Sequence, residues 1–500
     1  MCSVWRALKS CKPPCSGDLN AICAAPGTAA RISHFLWGFP RVLANTKGSC
    51  RGILKKAGGL GRRQGAEDFM KKWSIHRAAA GAAALLMLLT ACSAEIRPPQ
   101  SDESTDTTVS RTEGTSMTGE THTESTTGTT AETPLPADGT RVEGAALSGA
   151  VRLLGRYLWN EETQGVCFSF TNSGFELEFT GTRLDAEFGI DLDSLRGKLN
   201  RPFVNVYVED METPTQTFTM DALHKTVTLF AAETPRTVKI RVLKRSEAQS
   251  SSIELVALQS GEGSVLQPTA PAARALEFIG DSFTCGYGNE GELGQEFCTE
   301  TENGCETYAA RTARAFGADL QCICWSGIGV LSNYTEQGEH PNDAFLMKDL
   351  YPVTDYAGSG RLGQEQKRYD GQDWHPDAVV IHLGTNDASY TQRAADREAA
   401  RDSFEAAYEA LVETVRERHP QAMLILALGP ASGEGEELYH RIEQVAERRR
   451  AAGDARVQTL LFAPTQEGEG LGAGWHPSQK THARMAGELT ALLRDCMSWE

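Results

Sequence analysis

Positive charge is scarce in this sequence: 49 Lys and Arg stand against 66 Asp and Glu, a net charge of −17. Residues 1–69 run the other way, with 11 Lys and Arg against 3 Asp and Glu, so residues 70–500 carry −25. A chain that acidic excludes nucleic acid as a partner, because phosphate backbones demand basic surface. Long apolar runs are missing too. The run at 78–89 is shorter than the roughly 20 residues a membrane span needs. Residues 101–130 lack almost any large apolar side chain, with only Val109 and Met117, while 17 of the 30 are Ser or Thr. Such a stretch cannot bury a core, and it reads as a flexible tether whose hydroxyls are open to glycosylation. Metal-ligand clusters are also lacking. Cys322-Ile-Cys324 sits on an expected strand with too few other ligands nearby for zinc.

What is present begins at Met70. Lys71-Lys72, the apolar run 78–89 and Leu89-Thr90-Ala91-Cys92 have the layout of a secretory signal. Its last four residues resemble the bacterial lipobox. That resemblance implies that Cys92 is lipidated, becomes the mature N-terminus and anchors an exported protein to a bacterial cell surface. Residues 1–69, which hold five of the 13 cysteines and no sustained period, are then expected to be unstructured, non-native translation upstream of the signal. The expected organisation is 1–69 upstream, 70–92 signal, 93–138 linker, 139–267 a first domain and 272–500 a second.

The first domain is a series of eight short apolar runs between turn signals: 151–154, 165–170, 175–179, 184–188, 203–208, 226–230, 238–242 and 253–256. Phe175, Leu177 and Phe179 alternate with Glu176 and Glu178, the period of a half-buried strand. Eight such runs predict a β-sandwich of the jelly-roll kind. Packing beside a second domain is its expected role, with sugar binding as the other reading.

After residue 272 the period changes. Strands are expected at 275–280, 320–325, 378–383, 423–428 and 457–462, alternating with helices at 306–316, 398–418, 434–450 and 479–496. This predicts an α/β/α three-layer domain with a parallel sheet of about five strands. In such sheets ligands bind beyond the carboxyl ends of the strands. Those ends carry Gly280-Asp281-Ser282, Ser326-Gly327, Gly384-Thr385-Asn386-Asp387, Gly429-Pro430 and Trp475-His476-Pro477. Read together they compose a nucleophile, Ser282, and a base, His476, whose imidazole titrates near neutrality. The N–H groups of Ser282 and Gly327 and the amide of Asn386 would then stabilise an oxyanion.

At these four blocks the sequence resembles the SGNH, or GDSL, hydrolases. A closer likeness to the family two carbohydrate esterases rests on the run 278–290, Trp325-Ser326-Gly327-Ile328-Gly329, and Trp475-His476-Pro477 with His482. In the first domain it rests on Leu154-Gly155-Arg156-Tyr157, Phe179-Thr180-Gly181-Thr182 and Lys244-Arg245-Ser246-Glu247. The resemblance implies a jelly roll followed by an SGNH domain. It further implies an esterase that removes acetyl groups, notably at primary O-6, from plant cell-wall polysaccharides or oligosaccharides, without metal or cofactor. One departure stands out. Many relatives place an Asp two or three residues before the histidine, where this chain has Ala473 and Gly474. The expectation is a Ser282-His476 dyad, with a backbone carbonyl or a carboxylate from elsewhere orienting the ring.

Trp475 and Trp374 are candidate stacking surfaces for a sugar, and Asp281 is a candidate substrate contact. Cys167 and Cys285 read as packing residues and His382 as a buried, hydrogen-bonded histidine. Cys298, Cys305, Cys322 and Cys324 allow a disulfide without selecting a pairing. Competing functions are an SGNH esterase acting on acetylated peptidoglycan or a lipid, and a non-catalytic carbohydrate-binding lipoprotein.

Overall fold

A computed structural model gives the structure of residues 139–500, apart from 372, 373 and 431. The signal, Cys92 and the Ser/Thr tract lie outside the described residues.

Ten strands between residues 140 and 268 form an antiparallel β-sandwich whose core includes Phe168, Phe175, Phe179, Phe188 and Val206. Two pairs of the expected short strands are each one long strand, Gly174–Gly189 and His224–Lys244. The turn signals between them are absorbed by a bulge: Gly181 pairs with Arg236 but Arg183 pairs with Ala231, so residues 232–235 loop out of the ladder. The polar half of the first alternation is not all in solvent. Glu176 is fully buried, and although burial alone would raise its carboxyl, Arg241, Thr269, Arg152 and Lys239 hold it at about 2.

The second half is a five-stranded parallel sheet. Its strands are β1 (Ala275–Gly280), β2 (Asp319–Cys324), β3 (Ala378–His382), β4 (Met423–Leu428) and β5 (Val457–Leu461), in the order β2-β1-β3-β4-β5. Its helices include α1 (Ser282–Cys285), α2 (Tyr308–Ala315), α3 (Thr385–Thr391), α4 (Arg397–Arg418), α5 (Glu434–Ala451) and α6 (Gln479–Met497). Strands buried on both faces read as unbroken apolar runs because successive side chains enter different cores. Ile279, Ile381 and Leu424 pack with Phe404 and Val412 of α4 and Ile442 of α5. Their neighbours Phe278, Val380 and Ile425 pack with Tyr308 of α2 and Leu489 of α6.

Helix starts follow side-chain caps. Thr307, Asp396 and Ser478 accept the N–H groups of Ala310, Ala399 and Thr481 at the heads of α2, α4 and α6. Glu434, Glu436 and Glu437 open α5 and Arg448, Arg449 and Arg450 close it, matching its dipole at both ends.

The sandwich docks on the parallel-sheet domain through buried polar contacts. Arg245 donates to Glu302 O at 2.9 Å and Glu300 O at 2.6 Å, and Asn172 Nδ2 donates to Gly304 O at 3.0 Å. Gly304 carries no side chain because a Cβ there would lie 1.6 Å from Thr171 Oγ1 and 2.7 Å from Thr171 Cβ. All seven cysteines among the described residues are free, Cys298, Cys305, Cys322 and Cys324 included. Cys322 and Cys324 point into one core, as alternate residues of a strand do.

Candidate active site

β1 ends at Gly280 because nothing larger fits: a Cβ there would sit 2.0 Å from Thr284 Oγ1. The chain turns at once into α1, with Ser282 as its first residue. Asp281 caps that turn, its Oδ1 accepting the Phe283 N–H at 3.0 Å. Gly286, at φ 86°, ends it after four residues. The hydroxyl is thereby held at the carboxyl end of a central strand.

The sheet brings the other groups to the same edge. Gly280 lies opposite Cys324 on one side and His382 on the other. Gly327 therefore leaves β2, and Asn386 leaves β3, beside Ser282. Gly327 holds φ +82°, a conformation that favours glycine. Among the described residues, neither the Ser282 N–H nor the Gly327 N–H has a protein acceptor. Asn386 Nδ2 donates to Ile328 O at 2.9 Å and, more loosely, to Asp281 Oδ2 at 3.3 Å.

His476 arrives from the far end of the chain, on a loop pinned to the segment that follows α1. Ala473 N donates to Gly288 O at 2.9 Å and Gly474 N to Gln295 O at 3.1 Å. The approach is so close that a Cβ on Gly472 would lie 2.2 Å from Gly288 O. His476 Nε2 is 2.9 Å from Ser282 Oγ, and Nδ1 is 2.9 Å from Gly474 O. A carbonyl oxygen can only accept, so Nδ1 carries the hydrogen and Nε2 presents its lone pair to the serine hydroxyl. Among the described residues no carboxylate takes part. The ring is braced by Tyr287, with centroids 4.3 Å apart, and by the edge of Phe283 at 5.7 Å. Tyr287 in turn stacks on Phe297 at 3.7 Å. His476 is half-buried. Even so, its covered surroundings lower the group to about 4, while the hydrogen bond to Gly474 O works against that shift.

Two expected contacts are misplaced. Asp281 is not a substrate contact: it is 1% exposed and turned inward as the cap of α1, and burial pushes its carboxyl up to about 7. Trp374 is not at the site either. It precedes the amino end of β3 and donates from Nε1 to Glu277 Oε2 at 2.9 Å. Glu277 is five residues before Ser282 on a strand rising about 3.3 Å per residue, which puts the indole at the opposite edge of the sheet. Trp475, by contrast, is 72% exposed beside His476, at φ +66°. His382 is buried, with Nδ1 2.9 Å from Tyr308 Oη and Nε2 on Gly429 O. His482 is buried against Tyr308, whose N–H it accepts at 3.3 Å.

Other residues shape the site in roles that the sequence does not assign to them. Asp387, one residue past Asn386, accepts the N–H groups of Val330, Leu331 and Ser332 and so fixes the loop after Gly327. Tyr287, Phe297 and Gln295 brace the histidine. They lie together at 287–297, far from it along the chain, and only the fold brings them to it.

Comparison with known proteins agrees with this geometry. Residues 278–484 match the GDSL-like Lipase/Acylhydrolase family and residues 153–269 the Carbohydrate esterase 2 N-terminal family. The chain is 33% identical over 350 residues to the cellulase/esterase CelE of Acetivibrio thermocellus, covering 69% of this chain and 39% of that protein. It thus spans well under half the length of that relative. It is 26% identical over 356 residues to an acetylxylan esterase/glucomannan deacetylase of Cellvibrio japonicus, covering 71% of this chain and 91% of that one. A family two carbohydrate esterase from Clostridium thermocellum, solved in complex with cellohexaose, superimposes with a TM-score of 0.60 at 31% identity, over 70% of this chain and 100% of that one. With both of its domains matched and the serine and histidine in hydrogen-bonded register, the chain belongs to the family two carbohydrate esterases.

Proposed function

We propose that this chain is a cell-surface esterase that removes O-acetyl groups, chiefly at primary O-6 positions, from plant cell-wall polysaccharides through an acetyl-enzyme on Ser282. The observation that carries the reading is the pair of 2.9 Å contacts on the two nitrogens of His476. Nε2 takes the hydroxyl proton as Ser282 Oγ attacks the acetyl carbonyl carbon. The negative oxygen that results is met by the Ser282 and Gly327 N–H groups and by the Asn386 amide, which exchanges its looser contact with Asp281 for the oxyanion. Collapse expels the sugar oxygen, which takes the proton back from Nε2. Water then attacks the acetyl-serine with His476 again as base, releasing acetate. The exposed indole of Trp475 offers a face on which a sugar ring can stack. The activities of the relatives support an acetylated polysaccharide as substrate, and Cys92 supports a membrane anchor on an exported protein.

Acetate release from acetylated mannan, xylan and peptidoglycan separates the polysaccharide reading from that of an esterase acting on another ester. The plant polysaccharides should be deacetylated and peptidoglycan spared. Ser282→Ala should lose several orders of magnitude in kcat with the fold intact. Retention of more than about a tenth of the activity would remove the serine from this role.

The low imidazole value sets the pH profile. The base is active when neutral, so activity rises as pH rises through the folded-state value of about 4 and is complete about two units higher. The expected kcat/KM profile is flat from pH 6 to 8 with an acid limb below pH 6. An acid limb centred near 7 would mean a solvated or carboxylate-paired ring instead.

Gly474→Asp tests whether a missing acid limits the enzyme. Gly474 O already fixes the tautomer, and a Cβ at φ +62° would sit 3.1 Å from Tyr287 Cε1. The change in kcat/KM should stay under about tenfold, or about 1.4 kcal/mol. A hundredfold gain in kcat would show that the wild-type ring is poorly oriented.

The anchor is tested by Cys92→Ala in the exporting cell. The variant should leave the membrane fraction, and unchanged fractionation would count against lipidation.

A further inference from the structure

Glu247 belongs to the sandwich, yet its carboxylate ends among the groups that surround Ser282. It lies three residues past the long strand His224–Lys244, in the run Lys244-Arg245-Ser246-Glu247. Its Oε2 accepts the Ser326 N–H at 2.8 Å and the Cys285 thiol at 3.5 Å. Ser326 immediately precedes Gly327, and Cys285 closes the single helical turn that Ser282 opens. One buried carboxylate from the other domain therefore grips both the loop that bears an oxyanion donor and the turn that bears the nucleophile.

The need for such a grip follows from topology. β2 is the edge of the parallel sheet, so the loop that leaves it has a neighbouring strand on one side only. On that side Asp387 binds the N–H groups of Val330, Leu331 and Ser332. The start of the loop, at Ser326 and Gly327, is outside that clamp. Glu247 supplies the missing hold, and it is itself immobilised. Lys244 Nζ donates to Ser169 O, Ser246 O and Glu247 O at 2.9, 2.6 and 3.0 Å, and the Glu247 N–H donates to Glu302 Oε2 at 3.0 Å. Glu247 is 1% exposed and Glu302 fully buried.

We propose that Glu247 is a positioning residue for the hydrolytic site, contributed by the β-sandwich, which holds the Ser326 peptide so that the next N–H, that of Gly327, points where the oxyanion forms. The inference rests on the esterase reading of Ser282 and His476. It gives the sandwich a part in catalysis without contact with substrate. What the Ser326 N–H requires is an acceptor at the right distance, not a charge. Burial raises the Glu247 carboxyl above its ordinary value, against the pull of the Ser326 hydrogen bond and Lys244, so glutamine is a fair mimic of the group in place.

The experiment uses the full chain with 4-nitrophenyl acetate and acetylated xylan. Glu247→Asp keeps the carboxyl group but withdraws the acceptor by one C–C bond, about 1.5 Å. Displacements of that size at a reacting centre cost up to about a hundredfold. Glu247→Asp should lower kcat about tenfold to a hundredfold on both esters with KM within threefold, and Glu247→Gln should restore kcat to within threefold of wild type. Asn172→Ala, which removes a hydrogen bond to Gly304 O at the same interface, should lower thermal stability and leave kcat unchanged. Two results overturn the proposal: a Glu247→Asp enzyme whose kcat matches that of Asn172→Ala, or a Glu247→Gln enzyme as impaired as Glu247→Asp. A wild-type chain that hydrolyses neither ester would instead sink the esterase reading itself, so the two failures are distinguishable.

Discussion

The Gly474 peptide is the constraint on which the site depends. Its N–H is tied to Gln295 O and its carbonyl accepts the Nδ1 hydrogen of His476, so one rigid unit fixes both the place of the histidine loop and the tautomer of the ring. In a Ser-His-Asp arrangement the acid does this and also stabilises the imidazolium that forms. A carbonyl dipole orients as well as a carboxylate but offers less to a positive charge. The ring accordingly sits low on the pH scale, as a neutral base in covered surroundings flanked by the faces and edges of Tyr287 and Phe283. The missing acid is a change in how the imidazole is held, and the aromatic bracing carries part of the positioning that a carboxylate would share.

That unit works only because the sheet delivers the serine to it. The order β2-β1-β3 places Ser282 at the end of the middle strand of three, with Gly327 on one side and Asn386 on the other. Each strand end is then shaped by a residue that cannot be larger or cannot be apolar. Gly280 has no room for a side chain, Gly327 has the wrong backbone hand for one, and Asp387 must bind three N–H groups that would otherwise be buried without acceptors.

Much of this was legible in the sequence, for identifiable reasons. The five parallel strands and the helices α2, α4, α5 and α6 fall within about two residues of where apolar runs and periods put them. Strands buried on both faces and helices of this length carry strong periodic signals. The helix α3, Thr385–Thr391, was invisible because its residues, Thr-Asn-Asp-Ala-Ser-Tyr-Thr, have no apolar face; packing of its buried polar residues decides it. The long sandwich strands were read as pairs because Gly181 and Pro235 look like turn residues, whereas the fold accepts them at a bulge. Ser282, His476, Gly327 and Asn386 were legible as strand-end residues in order. Asp281 and Trp374 were misread for the same underlying reason. A residue's type says that it can touch a sugar, but only the direction of its chain at that point says whether it does. Asp281 turns inward to cap a helix, and Trp374 stands at the amino end of its strand.

The two domains are usually separable ideas, a sandwich that binds or packs and a hydrolase that reacts. The contacts here argue against that division. Arg245 donates to Glu300 O and Glu302 O, in the segment that leads from the brace of the histidine back to α2. Arg245 also pairs with Glu290, whose other oxygen accepts from Asn303 Nδ2 at 2.6 Å and from Gln479 Nε2 at 3.0 Å. Gln479 opens α6, three residues past His476. Buried polar networks of this kind are costly unless every partner is in place, so the docked sandwich stabilises the arrangement of the hydrolase loops it touches. The sandwich then acts on the chemistry through the shape of the loops it supports, and its conserving influence would be felt in kcat before it was felt in the affinity for any polysaccharide.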